Sequence, residues 1–300
     1  MNNETKKRRK QLERLDLRRA DYSYVKSLVK NLFHNHVAPS FYLDTGSPFY
    51  RVRLNPPSKP TEEKDLREPP RTSITGYQRC NSPGNPIFYA SNRILTAALE
   101  VGAAENDTVY FSKWILTKPM SCSVAISSEM YECHPDIQRV VPERSIDIID
   151  YFETLFTRPI HDTFSEQYKI TAAISEMLTG EYTRALLGQD DEGDVVSSDG
   201  HMGLIYRSVV DVAEGKNFAF HPTLVDEFLV VEFVLEARVV SSANNKFVVE
   251  VMDFSDDFVG KSIGWSGNPR SIPFFDFSAD SAIDLEGIKW VLKPSHAKPF

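Results

Sequence analysis

The stretch from Glu227 to Phe254 constrains this chain most. It reads EFLVVEFVLEARVV, a short polar break, then KFVVEVMDF, two runs dense in β-branched and aromatic residues. Runs of that composition at that separation read as a β-hairpin pair. GLIYRSVV and NFAFHP ahead of them read as two further strands, so the second half of the chain is dominated by sheet.

The first half mixes periods. Tyr24, Leu28 and Leu32, with Val25 and Val29 beside them, recur at helical spacing, which predicts one helix over 12–34. NPPSKPTEEKDLREPPRTS (55–73) is rich in proline and charge and reads as an exposed loop. PIFYAS is then a short apolar strand, and NRILTAALEVGAA a helix whose buried stripe is Ile94, Leu95, Ala98, Leu99 and Val101. Glu100 stands at the edge of that stripe. TVYFSKWILT (108–117) is strand-like and closed by Pro119, while 146–156 and 167–179 read as amphipathic helices. The acidic text after Leu187 reads as a surface excursion, and the tail from 254, with Trp265, Trp290 and several Phe, as a packed extension.

Three hundred residues of ordinary globular composition, 41% hydrophobic and 25% charged, favour one domain with additions. No run approaches the roughly 18 apolar residues of a spanning helix, and the charged amino terminus lacks the apolar core of a secretory signal, so the expected location is the cytoplasm. Cys80, Cys122 and Cys133 are odd in number and irregularly spaced, which suggests neither a disulfide framework nor a metal site; Cys133 beside His134 reads as a loop pair. Residues 1–19 carry eight Lys/Arg against Glu4, Glu13 and Asp16, which leaves the remainder at −13 within a chain total of −8. An acidic body argues against a dedicated nucleic-acid binder, and the basic arm reads as a solvated helical lead-in. The histidines His201 and His221 read as structural.

Three blocks place polar residues where a structural element would put apolar ones: FYRVR (49–53), GYQRCNSPGNPIFYASNRILTAALEVG (76–102) and GLIYRSVVDVAEGKNFAFHP (203–222). In order and local context they resemble the RES domain, a family of toxin–antitoxin systems, over about 45–235. Tyr50 and Arg51 match the family's first block. Gly76, Arg79, Asn81, Pro83, Gly84, Tyr89 and Glu100 match the second, and Gly203, Tyr206, Ser208, Gly215 and Asn217 the third. Cys80 departs from the pattern, replacing an aromatic wall residue. The 108 residues from Glu100 to Ser208 are more than compact members have, the acidic stretch accounting for some of them.

The resemblance implies an α+β fold with a split β-sheet core like that of the ADP-ribosyltransferases, flanked by helices. The implied organisation is a basic helical extension over 1–44, a catalytic domain over 45–252 with an insertion at about 180–202, and a packed extension over 253–300. The implied activity is cleavage of NAD at the nicotinamide–ribose bond, with NAD as substrate and no separate cofactor or metal. Guanidinium forks suit a pyrophosphate, so Arg51 and Arg79 are the expected anchors. An oxocarbenium-like state needs a carboxylate, the role expected of Glu100. Tyr89 would stack on nicotinamide or wall the ribose, Ser208 would hydrogen-bond the ribose or carboxamide, and Asn81 and Tyr206 would complete the binding set, with Glu100, Arg51 and Ser208 as the catalytic group. Water, phosphate or a macromolecule as acceptor would make a glycohydrolase, a phosphorylase or an ADP-ribosyltransferase. A growth-inhibiting toxin held by a cognate antitoxin is the implied context. The rival from another class is a non-catalytic binding module that docks through its basic arm.

Overall fold

The computed structural model describes residues 3–34, 36, 38–186, 202–243, 246–269, 272, 282–285 and 288–292. The acidic excursion, with His201, lies outside them. The fold is α+β: among the described residues one mixed sheet of eleven strands carries helices on its faces. No helix is long and apolar enough to cross a membrane.

The amino-terminal region holds two helices where the apolar spacing predicts one. These are α1 (Asn3–Glu13) and α2 (Tyr22–Phe33). The Asp21 carboxylate accepts the amide protons of Ser23 and Tyr24, which caps α2 and makes a new helix start cheaper than continuation. The turn between them is pinned from outside, since Lys169 donates to the carbonyls of Leu17 and Ala20. Leu12, Val25, Val29 and Leu32 bury against the body, so the basic segment is docked and its charged face alone is solvated.

Strands β1 (Ser40–Leu43), β2 (Pro48–Leu54) and β3 (Phe88–Ser91) lead into α3 (Ile94–Glu100), the helix expected from its buried stripe. The 55–73 segment is exposed over much of its length, as its composition predicts, but it is anchored at Pro60 and Leu66. It forms two 3₁₀ turns, buries Leu66 completely, and lends the Pro60 carbonyl to Trp265. Lys59 reaches Glu236 and Asp253, both at 2.7 Å.

Strands β4 (Thr108–Leu116) and β5 (Met120–Val124) are followed by four helices, α4 (Ser128–Cys133), α5 (Pro135–Val140), α6 (Ile146–Thr157) and α7 (Lys169–Leu186). After the undescribed stretch come β6 (Gly203–Arg207), β7 (Lys216–Phe220) and α8 (Pro222–Phe228). Helix α8 takes Glu227 and Phe228 out of the expected hairpin. Pro222 opens it, and the His221 ring accepts the Thr223 amide proton as its cap, a structural use of that histidine.

The hairpin itself is β8 (Leu229–Ala243) and β9 (Lys246–Ser255). In the tail, β10 (Ala282–Leu285) and β11 (Ile288–Leu292) extend the same sheet, β11 running parallel to β9. The strand order is β1-β5-β6-β7-β3-β2-β4-β8-β9-β11-β10. Alternation assigns the faces. Phe111 and Trp290 meet edge to face at 5.2 Å under α3, while Tyr110 and Trp114 turn the other way. Helices α1, α2, α6 and α7 cover the β6–β7–β3 part.

Candidate functional site

The site lies where the sheet comes apart. Strands β2 and β3 are neighbours, yet they pair at one position, Tyr50 opposite Ser91. Continuing that antiparallel register would bring Arg51 opposite Ala90 and then Val52 opposite Tyr89, and neither pairing forms. Beyond Tyr50 the two strands diverge, and a cleft of about 600 Å3 opens, lined by side chains from β2, β3, α3 and β7. That volume suits a small-molecule ligand.

Arg51 bridges the break. Its guanidinium donates to the carbonyls of Tyr89 (2.6 Å) on β3 and of Leu66 (3.1 Å) and Arg67 (3.0 Å) on the 55–73 segment. The group is 9% exposed and lies over the Phe88 ring. Burial, reinforced by the neighbouring Arg53 charge, brings its pKa down to about 10, so it remains a cation at neutral pH. Three of five N–H groups are occupied by carbonyls, which leaves two for the cleft that Arg51 also lines.

Glu100 ends α3 and is exposed to the same cleft. One carboxylate oxygen, Oε1, accepts from the Ser208 hydroxyl and from the Asn217 amide, each at 2.6 Å. Oε2 has no hydrogen-bond partner among the described residues. Asn217 is itself oriented by Ser91, whose hydroxyl donates to Asn217 Oδ1 at 2.8 Å. Since Ser91 is the residue paired with Tyr50, this chain of contacts fixes the carboxylate beside the point where the sheet divides.

Ser208 is 2% exposed and does not line the cleft. Its hydroxyl proton goes to Glu100 and its oxygen accepts the amide protons of Val210 and Asp211, so it positions the carboxylate. The glycine of this block follows from close approach. A Cβ on Gly215 would lie 2.8 Å from the Ser208 Cβ and 2.7 Å from the Asp211 carbonyl oxygen, while its own carbonyl accepts the Ser208 amide proton. Asp211 in turn accepts from Thr96 on α3 at 2.5 Å and pairs with Arg93, tying the β6–β7 turn to the helix that bears Glu100.

Arg79 reaches the cleft from the other wall. It donates to the carbonyls of Phe156 and Arg158 and lies over the Tyr168 ring at 5.3 Å. The Tyr89 ring lines the cleft while its hydroxyl, donating to Asn81 and accepting from the Cys80 amide, faces away. Asn81 is 1% exposed behind that ring and does not reach the cleft surface. Tyr206 lines it, with its ring tilted against Phe156. Cys80 is fully buried and does not line the cleft, and burial pushes its thiol up to about 12. Among the described residues no group of three His, Cys, Asp or Glu is placed to hold a metal ion.

The structure thus gathers Arg51, Arg79, Tyr89, Tyr206 and Glu100 around one cleft and sets Ser208 and Asn81 one layer behind it. It adds Arg53 and Tyr168 as lining residues and Asn217 as a direct holder of the carboxylate. Alternation along β2 could have found Arg53, because residues two apart share a face.

A family model described as RES domain matches residues 48–239. No curated protein matches the chain.

Proposed function

Because this chain belongs to the RES domain family, whose members are in general associated with NAD and with toxin–antitoxin pairing, we propose that it consumes NAD by breaking the nicotinamide–ribose bond. The observation that carries this reading is Glu100. A carboxylate with one oxygen restrained by two donors and the other without a partner among the described residues, in a cleft also lined by guanidinium groups, suits a ligand that is anionic at its centre and cationic at its reacting end. NAD is such a ligand.

In the proposed reaction the C1′–N bond breaks and its electron pair moves to the pyridinium nitrogen. Nicotinamide departs neutral, so no general acid is required. Positive charge develops on the ribose ring, and the fixed Glu100 charge stabilises it without reorganising. An acceptor then attacks C1′ and loses a proton: water gives ADP-ribose, inorganic phosphate gives its 1″-phosphate. The ADP-ribosyltransferase-like architecture is supported by the parting of β2 from β3.

Incubating the purified chain with NAD, with and without phosphate, and resolving nicotinamide and the ribosyl product by chromatography tests the reaction and its acceptor together. Absence of nicotinamide under both conditions would sink it. Expression in a host cell is expected to slow growth and deplete NAD, and co-expression of a cognate antitoxin to restore both.

Ser208→Ala and Asn217→Ala each remove one of two donors to a single oxygen. Each is expected to lower kcat by about 10-fold or more, since a hydrogen bond to a charged group contributes roughly 1.5–3 kcal/mol. The double variant should lose less than the product of the two, because the donors share an acceptor. Steady-state kinetics of the three variants checks this, and strict multiplicativity would argue for independent roles.

A further inference from the structure

The proposed reaction leaves open which side chain grips the centre of the dinucleotide, and the cleft offers three cations that are not equivalent. Arg51 is held by three carbonyls, and Arg79 by two carbonyls and an aromatic ring. Arg53 lines the same cleft and has no hydrogen-bond or ion-pair partner among the described residues.

Its acidic neighbours are already committed. Asp65 accepts the amide protons of Thr61 and Glu62, and Glu68 pairs with Arg67. They attract Arg53 without touching it. Arg53 is half-buried, and burial pulls its pKa down against the pull of Asp65 and Glu68, the direction expected of a cation short of water. It also lies two residues from Arg51 on one face of β2, so two like charges share the lip of the divided sheet. Both features disfavour the empty site, and a bound anion relieves both. A guanidinium with all five donors free suits a diphosphate, which it can grip through two parallel N–H···O bonds.

We infer that Arg53 is the diphosphate-gripping residue of the cleft, with Arg51 holding the two strands in place behind it. The identity of the diphosphate as part of NAD rests on the function proposed above; the contact itself does not.

The test uses ADP as a probe that carries the diphosphate but no scissile bond. Isothermal titration of the full chain with ADP, beside NAD kinetics, would compare wild type, Arg53→Ala and Arg53→Lys. Arg53→Ala should weaken ADP binding by about 10- to 100-fold, the range for losing hydrogen bonds between charged groups. It should raise KM for NAD comparably while kcat falls less than threefold and the melting temperature stays put. Arg53→Lys keeps the charge without the fork and should fall between. Equal ADP affinity in wild type and Arg53→Ala overturns the inference, as does a wild type that binds no ADP. If wild type binds ADP and Arg53→Ala does not, yet neither releases nicotinamide, the inference stands and the cleavage reading is the one that falls.

Discussion

Glu100→Gln is expected to leave a folded protein that releases nicotinamide at about one-thousandth of the wild-type rate or less. The amide keeps an oxygen where Ser208 and Asn217 donate, so both hydrogen bonds and the links from Asp211 to α3 survive. What disappears is the negative charge. Removing a preorganised electrostatic partner of a developing charge typically costs ~10²–10³ in kcat, and a full charge opposite a cation belongs at or beyond the top of that range. The loss should fall on kcat, with ADP affinity close to wild type, because Glu100 is no partner for a phosphate. Nicotinamide release by Glu100→Gln within tenfold of wild type would remove the carboxylate from the chemistry. A large fall in melting temperature would mean that the substitution had been read through stability instead.

The largest effect on the fold is expected from Arg51→Ala. Three carbonyls on two segments lose their donor at once, in a place 9% exposed to water. Each buried carbonyl left unpaired costs about 1–3 kcal/mol, and water entering from the cleft would offset part of the sum, which leaves about 3–5 kcal/mol. For a chain of this size that corresponds to a fall in melting temperature of about 10 °C. Arg51→Lys should recover little, since a single ammonium cannot span three acceptors placed for a fork. Thermal unfolding by circular dichroism separates the possibilities. If Arg51→Ala melts with wild type and shows only a raised KM, the residue is an anion anchor and the bridge across the divided sheet is dispensable.

The contrast between Arg51 and Arg53 shows where reading the text alone runs short. Residue type announces five donors, and the FYRVR block puts two such residues on one strand face, but which carbonyls lie within reach depends on how the 55–73 segment packs. Prolines and charges exclude a helix or a ladder there, and most of the segment is indeed exposed. They do not exclude a 3₁₀ turn that buries Leu66 and presents the Leu66 and Arg67 carbonyls to Arg51. The break between α1 and α2 escapes periodicity for a related reason: the apolar residues at helical spacing lie within α2 and say nothing of where it starts, which the Asp21 cap decides through local hydrogen bonds.

Other parts were legible because short-range patterns settle them. The stripe of α3 places Glu100 at its edge, and the β-branched runs yield β8 and β9, though the His221–Pro222 cap shortens the first by starting a helix before it. The RES-like blocks joined residues more than a hundred positions apart, which no periodicity argument could do. Ser208 and Asn217 both belong to the third block, and their common purpose at Glu100 emerges only when β6 and β7 are seen side by side.

The family match ends at residue 239, four residues before β8 does. A recognisable signature and a cooperative folding unit are therefore different lengths of this polypeptide. Severing it there would leave β8 with a raw, hydrogen-bond-hungry margin along the side where β9 lay, and would take away the Trp290 ring that roofs Phe111. Among the described residues the carboxy-terminal strands line no part of the cleft, yet β9, β11 and β10 move the open margin of the sheet three strands away from β8.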